Sequence, residues 1–213
     1  MLKIDSNTKY LKFAALALIT ILHIVGLFGI GVYKNDAIIG LSWVNLTFTF
    51  SLGLLFFETN LKLVLLPMLV ASIIGLASEA IGVNTGYLFG EYSYGSALGF
   101  KIFHVPFTIA LLWTGLNIGA KNIAAKFVNQ PIIIAILAAS LMVVFDWLME
   151  PVATLLNFWN WENNFIPIFN YFTWFFVSLL IQLLWRNVNT KNDVYNSVFI
   201  IQALFFIGLN ILL

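Results

Sequence analysis

Long apolar stretches alternate with short polar breaks along the whole chain. Several of the breaks combine charged residues with Asn, as in Lys34-Asn35-Asp36 and Glu58-Thr59-Asn60. A stretch of about 20 apolar residues is long enough to cross a bilayer as a helix. The pattern therefore predicts an all-α polytopic membrane protein, folded as a single transmembrane domain over residues 1–213, with about seven transmembrane helices. The predicted segments cover residues 11–32, 37–57, 62–82, 101–120, 131–156, 168–185 and 194–213.

The composition supports the membrane class and excludes several kinds of chemistry. Of the 213 residues, 62% are hydrophobic and only 9% are charged, whereas about 25% are charged in a typical soluble domain. The net charge is +1 without a basic cluster, so nucleic acid is not an expected partner. The absence of cysteine excludes disulfides, thiolate chemistry and cysteine-ligated metals. The metal-binding spacings HxxxH and ExxH do not occur either, so no metal site is predicted.

The basic residues predict the orientation of the helices, because Lys and Arg concentrate in cytoplasmic loops. With seven spans, Lys34 and Lys101 fall on one side, and the other eight of the ten Lys and Arg residues fall on the opposite side. This asymmetry predicts a multi-pass protein of the inner (cytoplasmic) membrane with a cytoplasmic amino terminus. The eight residues assigned to the cytoplasmic side are Lys3, Lys9, Lys12, Lys62, Lys121, Lys126, Arg186 and Lys191.

Three acidic residues fall in the predicted outer half of the membrane. Glu79 lies near the end of the third segment, and Asp146 and Glu150 lie in the fifth, four residues apart, so that they share one helix face. An ionised acid at the centre of a lone transmembrane helix costs about 2.5–3.5 kcal/mol, so acids at membrane depth indicate a functional site. The alternative is an inert pair that hydrogen-bonds to neighbouring helices. We expect catalytic roles for all three.

The connection after the third segment is predicted to cover these acids. Residues 83–99 are rich in Gly and aromatic residues and poor in charge, and long loops of this kind are usually functional or disordered. We expect a re-entrant or lid-like outer loop. The alternative is a helical packing stripe formed by Gly82, Gly86 and Gly90. The connection over residues 157–167 is predicted to emerge on the same side.

Aromatic and polar residues of the second outer connection and the sixth segment can reach the same region. Trp159 and Trp161 lie at the outer boundary, where an ordinary aromatic belt would also place them. A semi-polar face on the sixth helix suits a protein-lined cavity better than lipid. This face consists of Tyr171, Trp174, Ser178 and Gln182.

Two histidines and a weaker polar stripe complete the candidates. His104 begins the fourth segment on the outer side, so it is a candidate to contact a substrate beside the acids. His23 lies in the first segment and is expected to hydrogen-bond in helix packing. Asn45 and Thr49 form the stripe on the second helix.

Carboxylic acids in an apolar, aromatic-walled pocket suit proton transfer to carbon. Burial favours the neutral form of a carboxyl group, and two carboxyl groups one turn apart titrate as a unit that shares a proton. A neutral acid can protonate an alkene, and aromatic faces stabilise the resulting carbocation. Capture of the cation by water gives a hydratase, whereas proton loss after ring closure gives a cyclase. The residues alone leave both outcomes open.

Motifs within about residues 75–185 follow one another in a specific order and spacing. They are Glu79-x-x-Gly82-x-x-Thr85-Gly86-x-x-Phe89-Gly90-x-Tyr92-x-Tyr94, Val105-Pro106, Trp113, Asp146-x-x-x-Glu150-Pro151-Val152, Trp159-x-Trp161 and Pro167-x-x-Asn170-Tyr171-x-x-Trp174. This set resembles the integral-membrane carotenoid biosynthesis proteins whose characterised members are carotenoid 1,2-hydratases of the bisanhydrobacterioruberin and γ-carotene hydratase type.

The resemblance implies water addition across the C1=C2 bond of an acyclic (ψ) carotenoid end group, giving a tertiary alcohol without a redox cofactor. It implies a lipophilic substrate such as lycopene or γ-carotene, surrounding membrane lipid, and other carotenoid-pathway enzymes as partners. On this hypothesis Asp146, Glu150 and Glu79 supply the proton and orient the water. The residues expected to contact the substrate are Tyr92, Tyr94, Trp147, Trp161, Asn170, Tyr171 and Trp174, together with His104 on the basis of its position.

Other classes of protein explain part of the sequence. A carotenoid or isoprenoid cyclase would use the same acids and give an isomer with no gain in mass. A proton-coupled transporter also needs intramembrane carboxylates, but it is expected to have repeat symmetry or paired broken helices, which the sequence does not show. A purely structural membrane subunit explains the hydrophobicity and leaves three clustered acids unexplained.

Overall fold

The computed structural model describes residues 6–213, and eight α-helices make up most of this part of the chain. Lys3, which the charge count assigns to the cytoplasmic side, lies outside the described residues. The helices are α1 (Ser6–Gly31), α2 (Asp36–Gly40), α3 (Ser42–Leu54), α4 (Leu61–Thr85), α5 (Phe107–Ala124), α6 (Pro131–Leu155), α7 (Ile168–Leu184) and α8 (Asp193–Leu212).

The predicted apolar segments all become helical, with two changes. The second segment is divided into the short α2 and the longer α3, and α2 begins where the Asn35 side chain accepts hydrogen bonds from the Ala37 and Ile38 N–H groups. The fourth segment becomes helical only after Pro106. Four helices, α1, α4, α6 and α8, are long and apolar enough to cross a membrane. The count of seven spans therefore stays a prediction.

Short strands in the outer connections correct the prediction of a purely α-helical fold. Strands β1 (Tyr92–Tyr94) and β4 (Trp159–Trp161) pair antiparallel and join the two connections that were predicted to emerge on one side. Strands β2 (Lys101–Ile102) and β3 (Val105–Pro106) form a hairpin. The β1–β4 pair lies directly over the acids, as described below.

Helix α5 is the central element of the bundle, because it packs against α3, α4, α6, α7 and α8. Close approach depends on small residues, which are common at helix interfaces within membranes. A Cβ atom at Gly119 would lie 2.6 Å from the Tyr195 carbonyl oxygen of α8, and one at Gly75 of α4 would lie 2.6 Å from the Trp113 side chain. The second contact brings the Trp113 indole of α5 against the helix that carries Glu79.

Charged side chains lie at the ends of the bundle. At one end, Lys12 pairs with Asp193, and Lys191 Nζ lies 2.8 Å from Glu58 Oε2. At the opposite end, Lys34 Nζ donates to the Leu212 carbonyl oxygen at 3.2 Å. The structure therefore separates these basic residues into the two groups that the charge count predicts. Which end faces the cytoplasm stays a prediction.

Candidate active site

Three carboxyl groups from two helices line one cavity: Glu79 of α4, and Asp146 and Glu150 of α6. They are 3%, 0% and 2% exposed, respectively. The cavity has a volume of about 30 Å³, which leaves room for roughly one or two water molecules. Most of its wall is apolar or aromatic, including Trp113, Trp159, Trp161 and Trp174.

The spacing of side chains along α6 decides which residues reach the cavity. Asp146 and Glu150 are one turn apart and both face inward. Trp147 comes next to Asp146, is rotated by about 100°, and is 62% exposed on the outside of the bundle. Trp147 therefore does not line the cavity, and its contact with a substrate stays a prediction.

Strands β1 and β4, which we call the cover strands, cover one end of the cavity. Tyr92 lies opposite Trp161 and Tyr94 opposite Trp159, and all four side chains line the cavity. Between them, Ser93 lies opposite Asn160, and both are exposed. This alternation follows from the two-residue period of a strand.

The covering element is a strand pair, where a re-entrant or lid-like outer loop was expected. Helix α4 ends at Gly86, which has a φ of 69°, a left-handed conformation that glycine adopts without steric cost. Gly90 also has a positive φ, of 118°. The chain is therefore not helical across these positions, and the alternative of a continuous glycine packing stripe is wrong.

Glu79 accepts hydrogen bonds from three aromatic side chains. Trp113 Nε1 donates to Oε1 at 2.9 Å, and Tyr94 Oη donates to Oε2 at 2.8 Å. Tyr92 Oη donates to the same Oε2 atom. Burial, and then the neighbouring Glu79 carboxylate, raise the pKa values of both tyrosines above the ordinary range. Both hydroxyl groups therefore stay protonated and remain donors to Glu79.

Glu150 is held by the second cover strand. Trp159 Nε1 and Trp161 Nε1 donate to its Oε2 atom at 3.0 and 2.7 Å. Asn170 Nδ2 of α7 lies 3.4 Å from the other oxygen, Oε1. A single carboxylate thus connects α6, the cover and α7.

Asp146 has fewer partners than the two glutamates. Asn170 Nδ2 donates to its Oδ2 atom at 2.6 Å. Its Oδ1 atom is buried and has no hydrogen-bond partner. Polar atoms buried in this way are uncommon and are often functional. Asp146 is thus the cavity acid with an oxygen free for a substrate or water.

Aromatic faces surround the carboxyl groups. The Trp113 and Trp174 rings stack with centroids 4.2 Å apart and an interplanar angle of 22°. The Tyr92 and Trp161 rings are 5.0 Å apart. Such faces stabilise a positive charge, and no basic side chain is among the cavity-lining residues that the structure describes.

The structure brings together most, but not all, of the predicted substrate-contacting residues. Tyr92, Tyr94, Trp161, Asn170 and Trp174 line the cavity beside the three acids. Ser178 and Gln182, which share the semi-polar face of the sixth segment, are buried but do not line it.

Two further residues that were predicted to contact the substrate, His104 and Tyr171, do not line this cavity, and their contact with a substrate stays a prediction. His104 is exposed at the tip of the β2–β3 hairpin, where its Nδ1 lies 2.7 Å from Asn84 Oδ1. Its φ of 69°, like the 51° of Phe103, is typical of a tight hairpin turn, and His104 does not line the cavity of the acids. Tyr171 follows Asn170 on α7. It is half-buried and does not line the cavity.

Two tryptophans that bind the acids were not predicted as site residues. Trp113 lies in a mostly apolar helix with no charged residue within seven positions, and Trp159 looks like a member of an aromatic belt. Both tryptophans belong to the set of sequence motifs that carries the family resemblance, and this was the one signal that could have identified them as site residues. Among residues 6–213, no group of three His, Asp or Glu side chains is placed to hold a metal ion.

Comparison with known proteins gives one match. The family described as carotenoid biosynthesis protein matches residues 37–212, a range that includes the cavity acids and all of the cavity-lining tryptophans. Neither a curated protein nor a solved structure matches the chain at a significant level.

Proposed function

Because the chain belongs to the carotenoid biosynthesis protein family, we propose that it is a carotenoid 1,2-hydratase. It adds water to the C1=C2 double bond of an acyclic (ψ) end group and gives a tertiary alcohol, with no redox cofactor. The observation that carries the proposal is the meeting of Glu79, Asp146 and Glu150, all buried, in one aromatic-walled cavity.

Asp146 is the proton donor in this proposal. In a neutral carboxylic acid, one oxygen accepts hydrogen bonds and the other carries an O–H group that can donate one. Asp146 has this arrangement, because Asn170 donates to one oxygen and the other oxygen is unpaired. Hydrogen bonds to a carboxylate favour the ionised form, and Glu79 and Glu150 each accept several. They are therefore better suited to remain anionic.

Protonation occurs at C2, and the electron pair of the double bond forms the new C–H bond. The positive charge then lies at C1, which carries two methyl groups, as a tertiary cation. The stacked indoles of Trp113 and Trp174 and the two glutamates stabilise it, because charges in a water-poor site interact more strongly than in bulk water.

Water completes the reaction at C1. The cavity has room for roughly one or two water molecules, and the carboxylates orient one by accepting its hydrogen bonds. As the C1–O bond forms, the water gives one proton back to a carboxylate, which restores the protonation state of the site. The balance is one alkene plus one water to one alcohol.

Expression of the protein in a host that accumulates lycopene or γ-carotene tests the proposal. Wild type is expected to give a product heavier by one water, and the Asp146→Asn, Glu150→Gln double variant none. Glu91→Gln is the matched control, because Glu91 lies beside β1 but is exposed and does not line the cavity.

Three results would contradict the proposal. Wild type could give no hydrated product, or the double variant could retain the wild-type yield. An isomer of unchanged mass would instead identify a cyclase that uses the same acids.

A further inference from the structure

A second, larger cavity lies between α1, the α2–α3 region and α8. Its volume is about 190 Å³, several times that of the cavity at the acids. The walls are mostly Leu, Ile, Val and Phe side chains, including Phe158, which directly precedes strand β4. The cavity therefore has the size and the apolar lining for the end of an isoprenoid chain.

Four polar side chains from three helices line this apolar space. They are His23 of α1, Ser42 and Asn45 of α3, and Gln202 of α8. Gln202 is 3% exposed, and its Oε1 atom is buried without a hydrogen-bond partner, as is Oδ1 of Asn45. An unpaired buried polar atom costs about 1–3 kcal/mol, so these groups indicate a ligand that can hydrogen-bond.

The histidine adds an acceptor. His23 Nδ1 lies 2.8 Å from the Ile19 carbonyl oxygen. A carbonyl can only accept, so Nδ1 carries the proton, and Nε2 of the neutral ring is left as an acceptor. Ile19 belongs to α1 as well, so this bond does not join two helices, and the expected role of His23 in helix packing stays a prediction.

The chemistry of these groups defines the ligand. An alcohol can donate to the ring nitrogen or to an amide oxygen and can accept from an amide N–H, whereas a hydrocarbon end would leave all of them unpaired. The described lining residues include no Lys, Arg, Asp or Glu. The cavity is therefore suited to an uncharged hydroxyl group on an apolar chain and not to a phosphate headgroup.

A small third cavity lies between the two sites. It has a volume of about 20 Å³ and shares Leu112 and Leu116 with the cavity at the acids, and it shares Leu46 and Gln202 with the second cavity. Single layers of side chains thus separate neighbouring cavities. Leucine side chains can change rotamer to join them.

We propose that the second cavity binds the tertiary-alcohol end of the hydrated carotenoid, held by His23, Asn45 and Gln202. The identity of the alcohol rests on the hydratase proposal. The product end moves from the acids, past Leu112 and Leu116, into this second cavity. The cavity recognises the hydroxyl group of the product, which the substrate of the reaction does not have.

A binding comparison on the purified full-length protein tests this site. The probes are a carotenoid with one terminal tertiary alcohol and its 1,2-dihydro analogue, which has no hydroxyl group and no double bond to react. Binding is measured by quenching of tryptophan fluorescence in detergent micelles. We expect wild type to bind the alcohol about tenfold more tightly, the effect of roughly one or two hydrogen bonds.

Variants of the second cavity test whether this cavity is responsible for the preference for the alcohol over its 1,2-dihydro analogue. Gln202→Met and Asn45→Leu are expected to bind both probes equally. Gln182→Met is the matched control, since Gln182 is a buried glutamine that lines none of these cavities, and it is expected to keep the tenfold preference. If Gln202→Met does not fold, as judged by its melting temperature, Asn45→Leu decides.

The result also separates this inference from the hydratase proposal, because neither probe needs to react. Equal binding of the two probes by wild type, or a preference that persists in both Gln202→Met and Asn45→Leu, overturns the second site. A protein that shows the preference but never hydrates lycopene overturns the hydratase and leaves the alcohol site standing.

Discussion

The three acids of the cavity differ in the number of donors that reach them. Glu79 accepts from Tyr92, Tyr94 and Trp113, whereas Asp146 accepts from Asn170 alone. The aromatic residues around Glu79 therefore do more than fill space, because their N–H and O–H groups fix a carboxylate that would otherwise be costly to bury.

Replacing Trp113 by Phe tests this role of the aromatic donors. The change removes the N–H group that lies 2.9 Å from Glu79 Oε1 and keeps a ring to stack on Trp174. We expect hydration to fall about tenfold, which corresponds to about 1.4 kcal/mol of lost transition-state stabilisation, measured as initial rate in isolated membranes.

The matched control is Trp185→Phe. Trp185 is equally buried, and its Nε1 donates to the Pro67 carbonyl oxygen at 3.0 Å, away from the cavity. It is expected to lower the melting temperature without lowering the rate per folded protein. Equal rates for the two variants would show that the bond to Glu79 has no part in the reaction.

Helix periodicity predicts single residues only in part. It was enough to place Asp146 and Glu150 on one face, and the same spacing rotates Trp147 by about 100° from Asp146, which the expected contact of Trp147 with the substrate did not take into account. Trp159 contacts Glu150 through the β1–β4 register, which is a long-range feature. No local pattern in residues 157–161 encodes it.

The cover strands close a cavity that is too small for a terpenoid end group. About 30 Å³ holds water, and the tyrosines and tryptophans that fill the rest of the space belong largely to β1 and β4. We therefore expect the β1 and β4 strands to separate when the substrate of the proposed reaction binds.

A disulfide between the cover strands tests this movement. Ser93 and Asn160 are direct partners in the antiparallel ladder, where Cα atoms are about 4.5–5.5 Å apart, within the range of a disulfide. The chain has no cysteine of its own. Oxidised Ser93→Cys, Asn160→Cys is expected to lose most of its hydration activity, and a reductant to restore it.

The single variant Ser93→Cys, treated with the same oxidant, controls for oxidation itself and is expected to stay active. Full activity of the cross-linked protein would mean that the two strands do not separate, so that the cover moves as a pair or the substrate arrives between the helices.

The elements were predicted to different extents. Long apolar helices were found because their length and composition are sufficient signals, and the start of α5 is set by Pro106, which has no N–H group. Strands of two or three residues carry no detectable alternation. The two strand pairs, which form the cover and the hairpin, were therefore missed.

The whole molecule has charged groups at two ends and the acids near one of them. This arrangement was predicted from the unequal distribution of Lys and Arg, and the pairs Lys12–Asp193 and Lys191–Glu58 gather at the end away from the cover. The packing around α5, in contrast, depends on close contacts such as Gly119 with Tyr195. A hydrophobicity pattern alone does not specify such contacts.

Thiol labelling in sealed vesicles of known sidedness tests the orientation. Ser93→Cys at the cover and Lys62→Cys at the start of α4 are both exposed positions. A membrane-impermeant reagent is expected to label Ser93→Cys only from the outer side and Lys62→Cys only from the cytoplasmic side. The reverse pattern would place the acids in the cytoplasmic half of the bilayer.

The most direct test of the central claim is the reaction of purified protein with lycopene in water enriched in heavy oxygen. The account predicts a product that is heavier by one labelled water, with the heavy oxygen in a tertiary hydroxyl group at C1, and no such product from Asp146→Asn. An unlabelled product, an isomer of lycopene, or undiminished labelling with Asp146→Asn would contradict it.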